Sequence, residues 1–235
     1  MDRASGSGPE GRGFESLRAR FTLFDKLNMV QTPPQATSPA DLAASIERDD
    51  PEERVITTGV SWQAYEALLA QLEDNHHYRI SYLDGTLEIV SPSRAHEGVK
   101  KRIATLLEAY LIETDTRFYP LGSTTFRNQE KRGGKEPDES YCIGAEKELP
   151  DLAIEVIMSS GGINSLEMYH RLGIREVWFW QDNCFSIYHL EKDGYQPGDR
   201  SSILPNLDLD LIAEHVGMPD AFDALKQFRL RLRQT

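Results

Sequence analysis

Apolar positions along the chain fall into stretches with a period near 3.6 and stretches with a period of two, and the two kinds interleave from Ser61 onward. Ser61 can cap a helix, and Trp62, Tyr65, Leu68, Leu69 and Leu72 recur behind it at helical spacing. Tyr78 to Leu83 and Thr86 to Val90 flank Asp84-Gly85, a dipeptide that tolerates the positive φ angles of a tight hairpin, and Ser91-Pro92-Ser93 ends the pair. A long helix is expected from Ala95 to Glu113, with Val99, Ile103, Leu106, Leu107 and Tyr110 as its buried stripe. Extended pieces follow around Arg117 to Tyr119 and Ser123 to Arg127. A charged, Gly-rich turn is expected at Lys131 to Lys135, then a short extended segment at Asp138 to Ile143. Leu152 to Ile157 reads as a central strand, apolar on both faces except at Glu155. A short helix from Asn164 to Leu172, strands at Arg175 to Trp180 and Phe185 to Leu190, and a last helix from Pro219 to Arg233 complete the pattern. This order predicts an α/β (α+β) domain with a mixed sheet flanked by helices.

Residues 1 to 55 combine Gly6, Gly8, Gly11, Gly13, Pro33, Pro34 and Pro39 with scattered charge and no sustained apolar period, which predicts a flexible leader before a domain at 56–235. Met29 is an alternative start. The 39% hydrophobic content suffices for one core. Cys142 and Cys184 are the only cysteines and form no Cys-x-x-Cys pattern, so neither a disulfide framework nor a thiolate zinc site is indicated. Apolar runs are too short to span a bilayer and no signal-peptide core is visible, so the expected location is the cytoplasm.

A formal net charge of -12 argues against strong sequence-independent binding to nucleic acid, which depends on Lys and Arg neutralising phosphates. The charge is uneven, since Arg94 to Lys135 holds nine Lys or Arg against five Asp or Glu. Solvated helix and loop faces explain that stretch most simply, as they do for Lys226, Arg229, Arg231 and Arg233 near the end.

Glu155 carries the most information, because a carboxylate inside an apolar strand is costly to bury unless it is paired, hydrogen-bonded or bound to a cation. A bond to a loop or an arginine would also satisfy it. Asp138 follows Pro137 at the start of a strand, and alone this is only a common turn signal. Together, two acids on neighbouring strands can supply hard oxygen ligands to Mg²⁺ or Mn²⁺, as phosphodiester hydrolysis requires.

Four blocks in order then carry a resemblance: Tyr82 to Glu88 with Ser91-Pro92-Ser93 and His96-Glu97; Glu136 to Tyr141; Pro150 to Val156; and Tyr169, Leu172-Gly173-Ile174 and Glu176 to Trp180. Over about residues 59 to 212 the chain resembles the Uma-type domains of the PD-(D/E)XK nuclease superfamily. The resemblance implies a restriction-endonuclease-like fold and a metal-dependent endonuclease acting on nucleic acid, with DNA the first expectation. It also implies Asp138 and Glu155 as acids for Mg²⁺ (or Mn²⁺), His96 or Glu97 presented to the same site, and a homodimer as one working form. Helix phase favours His96, which shares the inward stripe with Val99 and Ile103, whereas a core-satisfied histidine is the equal alternative. Asp84 is explained by its turn, and Trp178, Phe179 and Trp180 by core packing.

The chain departs from the pattern at one chemical position. The superfamily's lysine two residues after the glutamate is here Ile157, and the site in the following helix where Uma-type relatives carry lysine is Ser165, whose hydroxyl brings no charge. Lys131, Lys135 and Arg171 are nearby substitutes between which the sequence does not choose. Two rivals to an active nuclease follow. One is a non-catalytic protein that keeps the fold and binds nucleic acid or a protein partner, and the other is an enzyme on a different small anionic substrate. For the leader, deleting residues 1 to 50 is expected to leave the melting temperature nearly unchanged in a thermal melt, because a segment without apolar periodicity contributes little core.

Overall fold

The computed structural model describes residues 52–72, 77–158 and 162–234, so the leader expected at its beginning lies almost wholly outside the described residues. The described residues form one compact unit. Its first strand, β1 (Glu53–Thr57), begins inside the segment read as leader and pairs antiparallel with β3 (Thr86–Ser91). Helix α1 (Trp62–Gln71) starts at Ser61, whose hydroxyl accepts the Ala64 amide. Next, β2 (Arg79–Leu83) and β3 form the expected hairpin, with Asp84 and Gly85 at φ 47° and 87°.

Helix α2 (Arg94–Glu113) is capped by Ser93 and buries His96, Lys100, Ile103, Leu106, Leu107 and Tyr110 along one stripe. After β4 (Phe118–Pro120) and β5 (Phe126–Asn128), the expected Gly-rich turn proves to be partly a strand, β6 (Gly133–Lys135), paired with both β5 and β2. The reason is steric. Gly134 lies so close to buried Tyr65 that a Cβ there would stand 2.3 Å from the phenol oxygen, so only a strand without a side chain at this point can pass beneath α1.

Strands β7 (Glu139–Ile143), β8 (Leu152–Val156), β9 (Glu176–Gln181) and β10 (Cys184–Glu191) follow, with α3 (Ser165–Leu172) as the crossover between parallel β8 and β9. Strand β11 (Gly194–Gly198) and helix α4 (Leu209–Val216) were not anticipated, and α5 (Ala221–Leu232) closes the fold. In β11, Gly, Pro and Gln replace an apolar alternation, and α4 is only two turns long.

The expected mixed strands form two sheets, ordered β1-β3-β2-β6-β5 and β11-β10-β9-β8-β7-β4. The helices flank these mixed parallel and antiparallel strands in an α+β, restriction-endonuclease-like fold. Residues of period two divide each sheet into faces. On the second sheet Leu152, Ile154, Val156, Trp178 and Trp180 join α2, α4 and α5 in the main core, while Ala153 and Val177 face α3. On the first, Ile80, Tyr82 and Leu87 pack with Trp62 and Tyr65 of α1. Its opposite face carries Arg54, Arg79, Ser81, Glu88 and Lys135, which read as solvent-facing by alternation. Among the described residues no helix is long and apolar enough to cross a membrane.

The terminal arginines are better organised than a plain solvated face. Arg229 and Arg233 both bind Glu113 at the end of α2, tying α5 down. Their hydrogen bonds and charges hold the Glu113 carboxyl down at about 2. A depressed acid stabilises the fold above its unfolded pKa and stops doing so as pH falls through its folded pKa. The melting-temperature difference between wild type and Glu113→Gln should therefore be small but measurable at neutral pH, shrink as pH drops from about 4.5 toward 2, and shrink also in molar salt.

Candidate active site

Two period-two rules put the acids together. Glu139 pairs with Ile154 across β7 and β8, so Asp138, one residue earlier, comes opposite Glu155, and its Oδ2 accepts the Val156 amide at 2.7 Å. Glu155 shares the Ala153 face and therefore turns away from the main core toward α3, β6 and the charged face of the first sheet. There it accepts a hydrogen bond from the Tyr169 hydroxyl of α3 and forms an ion pair with Lys135 Nζ at 3.2 Å. Asp138, immediately before β7, thus stands beside Glu155 on the adjacent strand β8, with both residues buried.

His96 rather than Glu97 is the α2 residue brought to Asp138. Its Nε2 lies 2.8 Å from Asp138 Oδ1, and its Nδ1 lies 2.9 Å from Glu52 Oε1. Burial alone would lower the imidazole pKa, but the hydrogen bonds and charges of Asp138 and Glu52 reverse this and raise it to about 9. Glu97 is half-exposed and pairs with Arg79 and Lys100. Arg79 also reaches Glu136 at 3.0 Å, so it links Glu97 to the acid cluster. Ser165, at the start of α3, lines the same cleft as Asp138 and Glu155. Of the three nearby cations, Lys131 is exposed, Arg171 is held by Asp84 and Glu167, and Lys135 alone of the three lines the cleft.

Sequence reasoning gave no site role to Glu52, Arg54, Arg79, Glu88, Glu136 or Tyr169, although Glu88, Glu136 and Tyr169 stand in the blocks that carry the resemblance. Arg54 Nε lies 3.1 Å from Glu88 Oε1, and Gly162, at φ 137°, passes so near that a Cβ would sit 2.7 Å from that oxygen. Glu88 carried no such signal as marked Glu155, because it alternates with Leu87 and Ile89 as a solvent-facing residue would, unlike Glu155 in a strand apolar on both faces. Phe179 was expected in the core, as Trp178 and Trp180 are, yet it is half-buried and lines the cleft.

The cleft has a volume of about 520 Å³ and a lopsided charge. Five carboxylates (Glu52, Glu88, Glu136, Asp138, Glu155) face three permanent cations (Arg54, Arg79, Lys135) and the His96 imidazole, whose raised pKa makes it a fourth, so the carboxylates exceed the cations by one. The imbalance is felt locally. Burial raises the Glu155 pKa and the charge of Asp138 raises it further, against Lys135 and Tyr169, whereas Asp138 is lowered because His96 and the Val156 amide outweigh its burial. Lys135 stays protonated despite burial because Glu155, Asp138 and Glu88 surround it.

This donor set fits a divalent cation. Among the described residues no group of three or more His, Cys, Asp or Glu forms a closed metal cage. Mg²⁺ does not need one, since it keeps several waters and takes one or two carboxylates. The oxygens of Asp138 and Glu155 that accept hydrogen bonds still have lone pairs to give, and the carboxylate surplus supplies the attraction.

A family model described as Uma2, putative restriction endonuclease, matches residues 62–215. The chain belongs to this family. Uma2 lies within the restriction-endonuclease-like superfamily, in agreement with the two-sheet α+β fold described above. A comparison with curated proteins finds no match. The Uma2 match spans every element from α1 through most of α4, and so includes Asp138, Glu155, His96, Lys135 and Ser165 but not Glu52 or Arg54.

If the surplus of carboxylate is a cation site, millimolar Mg²⁺ or Mn²⁺ should raise the melting temperature of the wild type by binding the native state alone, by about 1 to 3 kcal/mol of added stability at saturating metal. Differential scanning fluorimetry should show a much smaller rise for Asp138→Asn and for Glu155→Gln, with Ca²⁺ and Na⁺ as comparison salts.

Proposed function

We propose that the protein is a metal-dependent nuclease that hydrolyses phosphodiester bonds, with Asp138 and Glu155 holding Mg²⁺ or Mn²⁺ and DNA as the first substrate to test. The observation that carries this reading is the carboxylate surplus of a buried cleft between two sheets. An acidic cleft repels a phosphodiester unless a further cation enters with it, so the charge balance supports a metal and its polyanionic substrate arriving together. A divalent cation there would supply Lewis-acid stabilisation of the phosphate and a more acidic bound water.

The chain's own residues have separable tasks. Asp138 is fixed by the Val156 amide and by His96, so its carboxylate cannot rotate away from Glu155. His96, bonded on its other nitrogen by Glu52, orients Asp138 rather than meeting substrate. Tyr169 performs the same service for Glu155 from α3. Arg79 and Arg54 offset part of the acidic charge at the rim, and Phe179 and Tyr188 give the cleft an aromatic wall.

The test is a cleavage assay on single- and double-stranded DNA and RNA with Mg²⁺ and with Mn²⁺. Wild type should cleave at least one substrate, and Asp138→Asn and Glu155→Gln should each lower kcat by about 10²-fold or more, the usual loss when a preorganised charge stabiliser is removed. His96→Gln should cost less, about tenfold, as a supporting partner of a ligand. Mg²⁺ binding with no cleavage of any substrate would replace this reading with that of a binding protein on a nuclease fold.

A further inference from the structure

Resting on the nuclease reading, we infer that Lys135 is the lysine of this site: its ammonium contacts the attacked phosphate, so the neutral residue at Ser165 is a relocation of the charge and not its loss. Three independent observations lead there. The first is position. Lys135 is the last residue of β6 and shares with Gly133 the face turned toward α3, while Gly134 between them faces Tyr65. Gly133 lies against the Arg171 side chain of α3, so β6 runs beneath that helix and delivers the Lys135 side chain to Glu155.

The second is burial without structural need. Lys135 is 8% exposed and its partner Glu155 also 8%. Buried ion pairs contribute little net stability, because desolvation of both charges offsets their attraction. A three-residue strand of two glycines and a lysine gains nothing in packing from an ammonium, whereas a cleft that handles phosphate gains a fixed positive charge.

The third is convergence. Lys135, Asp138, Glu155 and Ser165 line one cleft, although they come from β6, the start of β7, β8 and the start of α3. A lysine side chain growing from Ser165 and the one present at Lys135 would enter the same space from two walls. Charge at both would crowd two ammonium groups together, so an uncharged Ser165 is what a lysine on β6 requires.

In the reaction, a water oxygen forms a bond to phosphorus while the bond from phosphorus to the leaving nucleoside oxygen breaks. The water releases one proton to solvent and the leaving oxygen takes one up, so a single water is added overall. Lys135 keeps all three of its protons throughout. It exchanges its contact with Glu155 for a non-bridging phosphate oxygen, on which negative charge builds as the new bond forms.

The test compares wild type, Lys135→Met, Lys135→Gln and the double variant Lys135→Met with Ser165→Lys. It reads kcat and KM for cleavage, Mn²⁺ affinity by calorimetry without substrate, and melting temperature in Mn²⁺. Removing the ammonium should lower kcat about 10²-fold with KM changed less than threefold. Mn²⁺ should bind several-fold more tightly, because the cation that competes for Glu155 is gone. The double variant should regain at least tenfold in kcat. Rate and metal affinity moving in opposite directions is an outcome that a merely structural lysine cannot give, and if Lys135→Met fails to fold, Lys135→Gln decides by the same two readings. Wild-type kcat in either folded variant overturns the assignment while leaving the nuclease reading intact. So does a loss of kcat that tracks weaker Mn²⁺ binding and a lower melting temperature and that Ser165→Lys does not relieve. A wild type that cleaves nothing overturns the nuclease reading, and the lysine's role falls with it.

Discussion

The hydrogen bond from the Val156 amide to Asp138 Oδ2 is the contact on which the geometry of the cleft depends. The β7 and β8 ladder runs to the pair Glu139 and Ile154, and beyond it the side chain of Asp138 takes the place of a backbone acceptor. One carboxylate therefore ends a sheet ladder, fixes the register that brings Glu155 alongside and receives His96 from α2. Each of these would loosen if that oxygen lost its donor, because a one-residue slip of register turns every side chain of the strand to the other face.

Around this contact the molecule separates two kinds of burial. The main core of Leu152, Ile154, Trp178 and Trp180 against α2, α4 and α5 is apolar and closely packed. The space between the sheets is buried as well but filled with ion pairs: Lys135 with Glu155, Arg54 with Glu88, Arg79 with Glu136. The first kind of burial stabilises; the second contributes little net stability. A similar division appears away from the cleft at Glu176, fully buried yet satisfied by Trp178, Ser202 and Ile203, where a charge fastens a loop to the sheet.

Much of this was legible in the sequence because it follows from periodicity. The α2 stripe placed His96 inward, the Asp-Gly hairpin fell where expected, and an acid inside an apolar strand singled out Glu155. What escaped was whatever depends on a partner distant in the chain. Gly133 to Lys135 reads as a turn because two glycines carry no hydrophobic signal, and its strand exists only because β2 and β5 flank it. Arg54, Arg79 and Glu88 alternate correctly for an exposed face, and only the apposition of a second sheet buries them. For the same reason the sequence offered Lys131, Lys135 and Arg171 as equals, whereas the fold directs one of them inward.

The charged face of the first sheet has an energetic consequence for how the molecule can open. Water entering between the sheets would rehydrate arginine, lysine and carboxylate groups at little apolar cost, while water entering beneath α2 would expose Trp178 and Leu107. The seam between the sheets is thus the plane along which hydration uncovers the least apolar surface.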